Sequence, residues 1–312
     1  MSKSFLESLD RRLAAGLAPL ARTLSGPALG FVLAHQTPEG GMRGRLGGAD
    51  LYSTDFALRI LVLLGSDREP LQRIGRYLEG LQEVPGDLIT AFGLLNSARL
   101  LGSRGIQVSF DGRATEGALV RQRLPGGGFA SPGDSVPSAY QTFLAGLCHE
   151  ALGRAMPDAG AAVRDVSRLV DPDGGYCDRP GGSTAHTNPT AAALVFLSAQ
   201  GVLDPEEAES AVEFLVRMQA DDGGLRAQPS APGGDLLSTF TALVALAVMG
   251  ALELVDLAAA GRFAMSLRTP EGGFRSCASD PEADVEYTYY GLGTLALLRA
   301  HLDEASRGEE GK

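Results

Sequence analysis

The sequence predicts an all-α fold, an α6/α6 toroid built from six helical hairpins. Three observations carry that expectation. Glycines are abundant, 41 in 312 residues, and they recur as pairs. Gly127-Gly128, Gly174-Gly175, Gly223-Gly224 and Gly272-Gly273 stand 47, 49 and 49 residues apart, a period in the range of repeat architectures. Gly40-Gly41 lies 87 residues before the first of these, so a further unit is expected between them. Residues 77–102 supply it, with the same plan and a shortened loop. Second, every unit pairs an amphipathic helix with one that is apolar nearly all round. Third, no stretch shows the period-two alternation of a half-buried strand.

The elements follow in order. Residues 1–29 read as an N-terminal helical extension. Its start carries Glu7, Asp10, Arg11 and Arg12, where a secretory signal needs an unbroken apolar core. No run approaches the length of a spanning helix, and the default location is cytoplasmic. Residues 30–302 form the toroid. In each unit a first helix ends in a phrase such as FVLAHQTPEGGM, FLVRMQADDGGL or FAMSLRTPEGGF. Pro or Asp plus Gly-Gly stops the helix, because glycine reaches positive φ at little cost and proline cannot continue the ladder. One bulky residue follows: Met42, Phe129, Tyr176, Leu225 or Phe274. After a polar loop, the second helices begin near Thr54, Thr90, Thr142, Thr190, Thr239 and Thr288. Eleven residues beyond Thr54, Thr142, Thr190 and Thr239 come Gly65, Gly153, Gly201 and Gly250, which fixes the register without gaps. A helix with no polar face is buried on all sides. The second helices are therefore expected inside and the amphipathic ones outside. Six units without distinct capping repeats favour closure into a ring around a central cavity. Residues 303–312 read as a flexible polar tail.

Composition narrows the chemistry. The formal net charge is −11, which argues against nucleic acid or an anionic membrane as the main partner. Lysine occurs only at Lys3 and Lys312, against 25 arginines. That excludes a core Schiff base, pyridoxal phosphate and a phosphate-cradling P-loop lysine. Cys148, Cys177 and Cys277 form no close pair, as in a reducing compartment.

The Gly-Gly-aromatic repeat of about 48 residues resembles the superfamily of prenyltransferase β subunits and squalene cyclases. The phrases CDRPGG, DLLSTFTALVALAVMG and DVEYTYYGLGTLALL are most similar to those of protein geranylgeranyltransferase β subunits, the Rab type above all. That resemblance implies transfer of a prenyl group from an isoprenoid diphosphate, with zinc activating a thiol, and an α-subunit-like or self partner. The family's zinc ligands fall on Asp235, Leu237 and Tyr287. Leucine cannot bind zinc, so zinc is not expected and no other cofactor is implied. The family's diphosphate-binding Arg and Lys fall on Gln228 and Ala231. Arg45 and Arg179 stand at the family's arginine offset in other units, and Arg43 follows the bulky residue. These three are the candidates for an anionic head group.

Asp235, Tyr287 and His186 are the candidate catalytic residues. Asp235 also reads as a helix N-cap. His186 precedes Thr190 by one turn, with Cys177 and Asp178 in the preceding loop, and the three could form a displaced metal site or leave His186 as an acid or base. His35 and His149 read as structural. No D-x-D-D acid motif of the cyclase branch is present, and the acidic run SDPEADVE reads as a loop. Tyr52, Phe56, Phe92, Tyr140, Phe240, Tyr287, Tyr289 and Tyr290 are the aromatic candidates for the cavity. Tyr140, Tyr289 and Tyr290 are expected as its amphipathic walls, and Arg43, Arg45 or Arg179 at its rim. With no Trp and few aromatic candidates, a cationic cyclisation is disfavoured. The leading expectation is a transferase of an isoprenoid diphosphate or related lipid, the alternatives being a non-catalytic lipid-binding or scaffold toroid and a lyase or cyclase with a rearranged site.

Overall fold

The computed structural model describes residues 4–81, 86–110 and 112–310. Among these, thirteen α-helices and four two-residue strands are found. An N-terminal helix, α1 (Phe5–Leu17), precedes six hairpins. Their first helices are α2 (Ala21–Leu33), α4 (Arg68–Glu79), α6 (Arg113–Arg121), α8 (Ala159–Ser167), α10 (Pro205–Arg217) and α12 (Leu257–Ser266). Their second helices are α3 (Leu51–Leu63), α5 (Leu88–Ser103), α7 (Ala139–Ala151), α9 (Thr187–Ala199), α11 (Leu236–Met249) and α13 (Val285–Glu310). The second helices pack in chain order from α3 to α13, and α13 packs back on α3. They form a closed inner ring, and the first helices lie outside it. The fold is the expected all-α toroid. The residue 77–102 unit is real, as the end of α4 and nearly all of α5.

The glycine pairs and the threonines are two halves of one lock. The backbone N–H of each bulky residue donates to the hydroxyl of the threonine in the next inner helix. These bonds run from Met42 to Thr54 (2.9 Å), Phe129 to Thr142 (3.1 Å), Tyr176 to Thr190 (2.8 Å), Leu225 to Thr239 (2.9 Å) and Phe274 to Thr288 (3.0 Å). In four of the five units the hydroxyl then donates to the carbonyl four residues back, as Thr239 does to Asp235 at 2.6 Å. All five threonines are wholly buried. Each inner helix therefore starts two or three residues before its threonine, because the cap lies one turn upstream. Asp50, Asp87, Asp235 and Asp284 accept from backbone N–H groups of the first turn at 2.6–2.8 Å, the usual work of an N-cap.

The first glycine of each pair has φ between 89° and 106° and lies against the next outer helix. Ring closure uses the same contact. A side chain on Gly272 would collide with the backbone of Pro27 in α2, and one on Gly273 would collide with the ring of Phe31. The sixth unit thus packs on the first as each earlier unit packs on its successor.

Three boundaries differ from the sequence expectation. Helix α2 begins at Ala21, so the first unit reaches into the stretch read as an extension. The acidic run is not a loop throughout: Ala283–Asp284 is strand β4, paired with β3 (Phe274–Arg275), and Glu286 lies in the first turn of α13. The stretch read as a frayed tail continues α13 to Glu310. Intrahelical pairing of Arg299 with Asp303, and pairing of Glu304 with Arg12 of α1, hold those turns. The remaining strands, β1 (Met42–Arg43) and β2 (Ala49–Asp50), make the equivalent hairpin in unit one. No described helix is long and apolar enough to cross a membrane.

Candidate functional site

The inner helices enclose a central cavity of about 380 Å³. Its wall follows one rule. Side chains three, four and seven residues apart on a helix share a face. Counted from the register threonine, α3, α7, α9 and α11 each line the cavity at two before, one and two after, and five after. The first layer, at the mouth, is Tyr52, Tyr140, Asn188, Leu237 and Glu286. The middle layer includes Phe56, Phe92, Phe240, Tyr289 and Tyr290, with Ala191 and Ala192 opposite leaving the space. The lowest layer is Arg59, Leu147, Val195 and Val244.

The aromatic rings form one continuous cluster. Phe56 lies 5.7 Å from Tyr289 and 5.3 Å from Tyr290, and Phe240 lies 5.4 and 5.5 Å from the same two. Seven of the eight aromatic residues singled out in the sequence line the cavity. Tyr287 does not: its ring packs on the outer side of Tyr290 at 6.0 Å. Burial pushes the Tyr140 and Tyr289 phenols up to about 12, and that of Tyr290 well above its ordinary value. All three stay neutral hydroxyls.

Three ionisable cavity residues escaped the sequence reading. Glu286 at the mouth accepts from the Tyr52 hydroxyl at 2.7 Å. Burial raises its pKa above the ordinary glutamate value, against the lowering effect of the Tyr52 hydrogen bond. Deeper, Asp55 pairs with Arg59 and accepts from Asn96 Nδ2 at 2.8 Å and Ser97 Oγ at 3.3 Å. The Arg59 guanidinium lies 4.9 Å from the centre of the Phe56 ring and 5.3 Å from those of Phe92 and Tyr289. Its Nε is buried without a hydrogen-bond partner. The offset rule would have found all three: Glu286 lies two before Thr288, Asp55 one after Thr54, and Arg59 five after it.

The remaining sequence candidates stand elsewhere. Asp235 caps α11 through Ser238 N–H at 2.8 Å, and burial raises its pKa. His186 precedes α9, its backbone bonded to Tyr176 and Thr190 and its side chain exposed. Asp178 accepts from Ser138 Oγ at 2.7 Å and Tyr140 N at 3.1 Å. Cys177 has Asp171 at 3.9 Å. No group of His, Cys, Asp and Glu among the described residues could hold a metal. His149 is buried in α7, and burial pushes its pKa down to about 4.

None of the three candidate arginines lines the cavity. Arg45 is held by Asp280 and Asp284, each at 2.6 Å, and its guanidinium lies 5.6 Å from the Tyr287 ring centre. Arg179 pairs with Asp134 at 2.9 Å and Asp178 at 3.5 Å. Arg43 donates to the Ala34 carbonyl at 3.3 Å. Zinc, which the resemblance implies, does not fit the residues present. Asp235 is engaged as a cap, Leu237 offers no donor atom, and the Tyr287 phenol is pushed up to about 12 by burial.

The geometry has counterparts among known proteins. Protein geranylgeranyltransferase-I from Candida albicans, complexed with GGPP, has a TM-score of 0.65 at 15% identity, over 79% of this chain and 83% of that one. A single-substitution variant of the type II terpene cyclase MstE from Scytonema, in complex with its substrate geranylgeranyl dihydroxybenzoate, has a TM-score of 0.63 at 15% identity, over 95% and 99%. A glycosidase shares the architecture at 0.54 and 14%, over 93% and 98%. At such identities the likeness is one of fold. No curated protein matches the chain by sequence. The prenyltransferase alpha-alpha toroid domain matches residues 17–92 and 149–309. With most of its length matched and six phased hairpins closed into a ring, the chain belongs to the prenyltransferase alpha-alpha toroid domain family.

Proposed function

We propose that the toroid takes an isoprenoid-type chain into its central cavity and rearranges it by acid-initiated cationic chemistry, with Glu286 as proton donor. One observation carries the reading. A half-buried carboxyl with a raised pKa stands at the mouth of an apolar cavity whose middle layer is aromatic. Phe56, Phe92 and Tyr289 already face the Arg59 guanidinium, which leaves Phe240 and Tyr290 as the rings to stabilise a nearby cation, by about 0.5–2 kcal/mol each. The proton passes from Glu286 to an alkene carbon of the chain. A neighbouring double bond attacks the cation and closes a ring. Loss of a proton to the carboxylate or to water ends the sequence, with no oxidant or reductant required.

Diphosphate-dependent prenyl transfer is the competing reading, and the mouth disfavours it. Helix N-termini attract anions, but four of the six here are already capped by Asp50, Asp87, Asp235 and Asp284. Glu286 adds a fifth carboxyl. Arg45, paired beside the start of α13, is spent on Asp280 and Asp284. A neutral or weakly polar head group suits this mouth better than a diphosphate. The solved structures of similar fold are complexes with GGPP in one case and with geranylgeranyl dihydroxybenzoate in the other, which supports an isoprenoid chain as the occupant.

The test is product analysis in D₂O with geranylgeraniol and with its diphosphate. An isomeric cyclic product carrying deuterium is expected. Glu286→Gln keeps the shape and removes the acid, and should lower the rate at least ~100-fold, the usual worth of a general acid. Turnover requires the protonated form, so the rate should fall as pH rises through the raised pKa of Glu286. Release of inorganic diphosphate at the same rate in wild type and Glu286→Gln would overturn the reading.

A further inference from the structure

The inner ring does not close its own lower end; α1 does. Phe5, Leu6 and Leu9 of this helix line the cavity beneath the layer of Leu147, Val195 and Val244. Phe5 meets the Phe143 ring edge-on at 6.3 Å. The helix is fastened to three inner helices. Its cap residue Ser4 donates through Oγ to Glu150 Oε1 at 2.5 Å, and Leu6 N–H donates to the same oxygen at 2.8 Å. Arg99 of α5 holds Asp10 at 2.8 Å, and Arg12 holds Glu304 of α13 at 2.9 Å. Gly16 lies against the Ala296 carbonyl so closely that any side chain would collide.

We propose that α1 is a fixed plug whose Phe5 and Leu9 side chains set the length of chain the cavity accepts. The proposal rests on the reading of an isoprenoid-type occupant and names the residues that select among such chains. The lining layers repeat once per helical turn, a rise of about 5.4 Å, close to the length of one isoprene unit. Removing the two plug side chains deepens the cavity toward α1, and enlarging Leu9 shortens it. The plug's anchors at Ser4, Asp10, Arg12 and Gly16 are separate from these two side chains, so trimming them leaves the helix attached.

The experiment compares Phe5→Ala/Leu9→Ala and Leu9→Phe with wild type. Dissociation constants are measured for prenyl alcohols of ten, fifteen, twenty and twenty-five carbons and for unbranched alcohols of matched length. The double variant should move the preferred chain up by one isoprene unit, changing the ratio of affinities for adjacent lengths by about tenfold. Leu9→Phe should move it down. Equal weakening of all lengths, or unchanged ratios in both variants, would overturn the plug as a ruler. Binding of unbranched but not prenyl chains would overturn the isoprenoid reading while the length shift still reads the plug. If no chain binds, crystals of the double variant under xenon decide it: xenon in the space vacated by Phe5 supports the deeper cavity, and none there overturns it.

Discussion

At the scale of single residues, Arg59 and Asp55 make the sharpest demand on the fold. An ion pair in an apolar cavity costs several kcal/mol in lost hydration unless its hydrogen bonds are well made. Here Asn96 and Ser97 satisfy Asp55, and three aromatic faces surround the guanidinium. Arg59→Met leaves Asp55 buried without its cation and should destabilise the protein by about 3–5 kcal/mol. Asp55→Asn in the same chain removes the orphaned charge and should restore most of that loss, as read from urea unfolding midpoints. Equal loss in the single and double variants would show that packing by the long side chain matters more than the charge. Glu286 belongs to the same scale. Its folded-state pKa is raised, so the stabilising proton is fully bound below the ordinary glutamate range and is lost as pH rises through the raised value. A general acid should show its activity loss over that same window.

At the scale of the element, the hairpin is held by a buried threonine rather than by propensity alone. The Thr239 hydroxyl serves the Leu225 N–H and the Asp235 carbonyl at once. Thr239→Val keeps the volume and strands a buried N–H, at a cost of about 1–3 kcal/mol. Thermal unfolding of Thr239→Val against Thr241→Val tests this, because Thr241 faces the cavity and serves no bulky-residue N–H. The seam between the last and first hairpins is tested by Gly272→Ala. Its φ of 97° and its contact with Pro27 leave no room for a methyl group. Destabilisation above 2 kcal/mol is expected from the combined backbone strain and overlap. An unchanged melting temperature would mean that the ring is not closed there.

At the scale of the whole molecule, the fold was legible because its signals are periodic. Paired glycines, bulky residues and threonines recur in phase, and each serves the same contact in every unit. The candidate site repeats that phase too, but its residues were legible only where their type drew attention. The aromatic residues of the cavity stood out by type, whereas Glu286 was hidden in an acidic run that reads as a loop, and Asp55 and Arg59 in a helix chosen for its apolar character. The plug was invisible for a different reason: α1 is an ordinary amphipathic helix, and only tertiary packing places Phe5 and Leu9 under the ring. Arg45 and Arg179 stood out by the arginine offset that the resemblance implies and Arg43 by its place after the bulky residue, but acidic residues distant in sequence, such as Asp280 for Arg45 and Asp134 for Arg179, engage two of them.

The central claim is that the cavity holds an isoprenoid-type chain beneath an acidic mouth. Calorimetric titration of geranylgeraniol and geranylgeranyl diphosphate into the same protein tests it most directly. Burial of such a chain gains about 0.8 kcal/mol per CH₂ before entropy costs. Micromolar binding of the neutral alcohol is expected, with at least tenfold weaker binding of the diphosphate and loss of both in Ala191→Phe, which fills the space opposite the aromatic layer. A diphosphate that binds more tightly than the alcohol, or binding unaffected by Ala191→Phe, would contradict it.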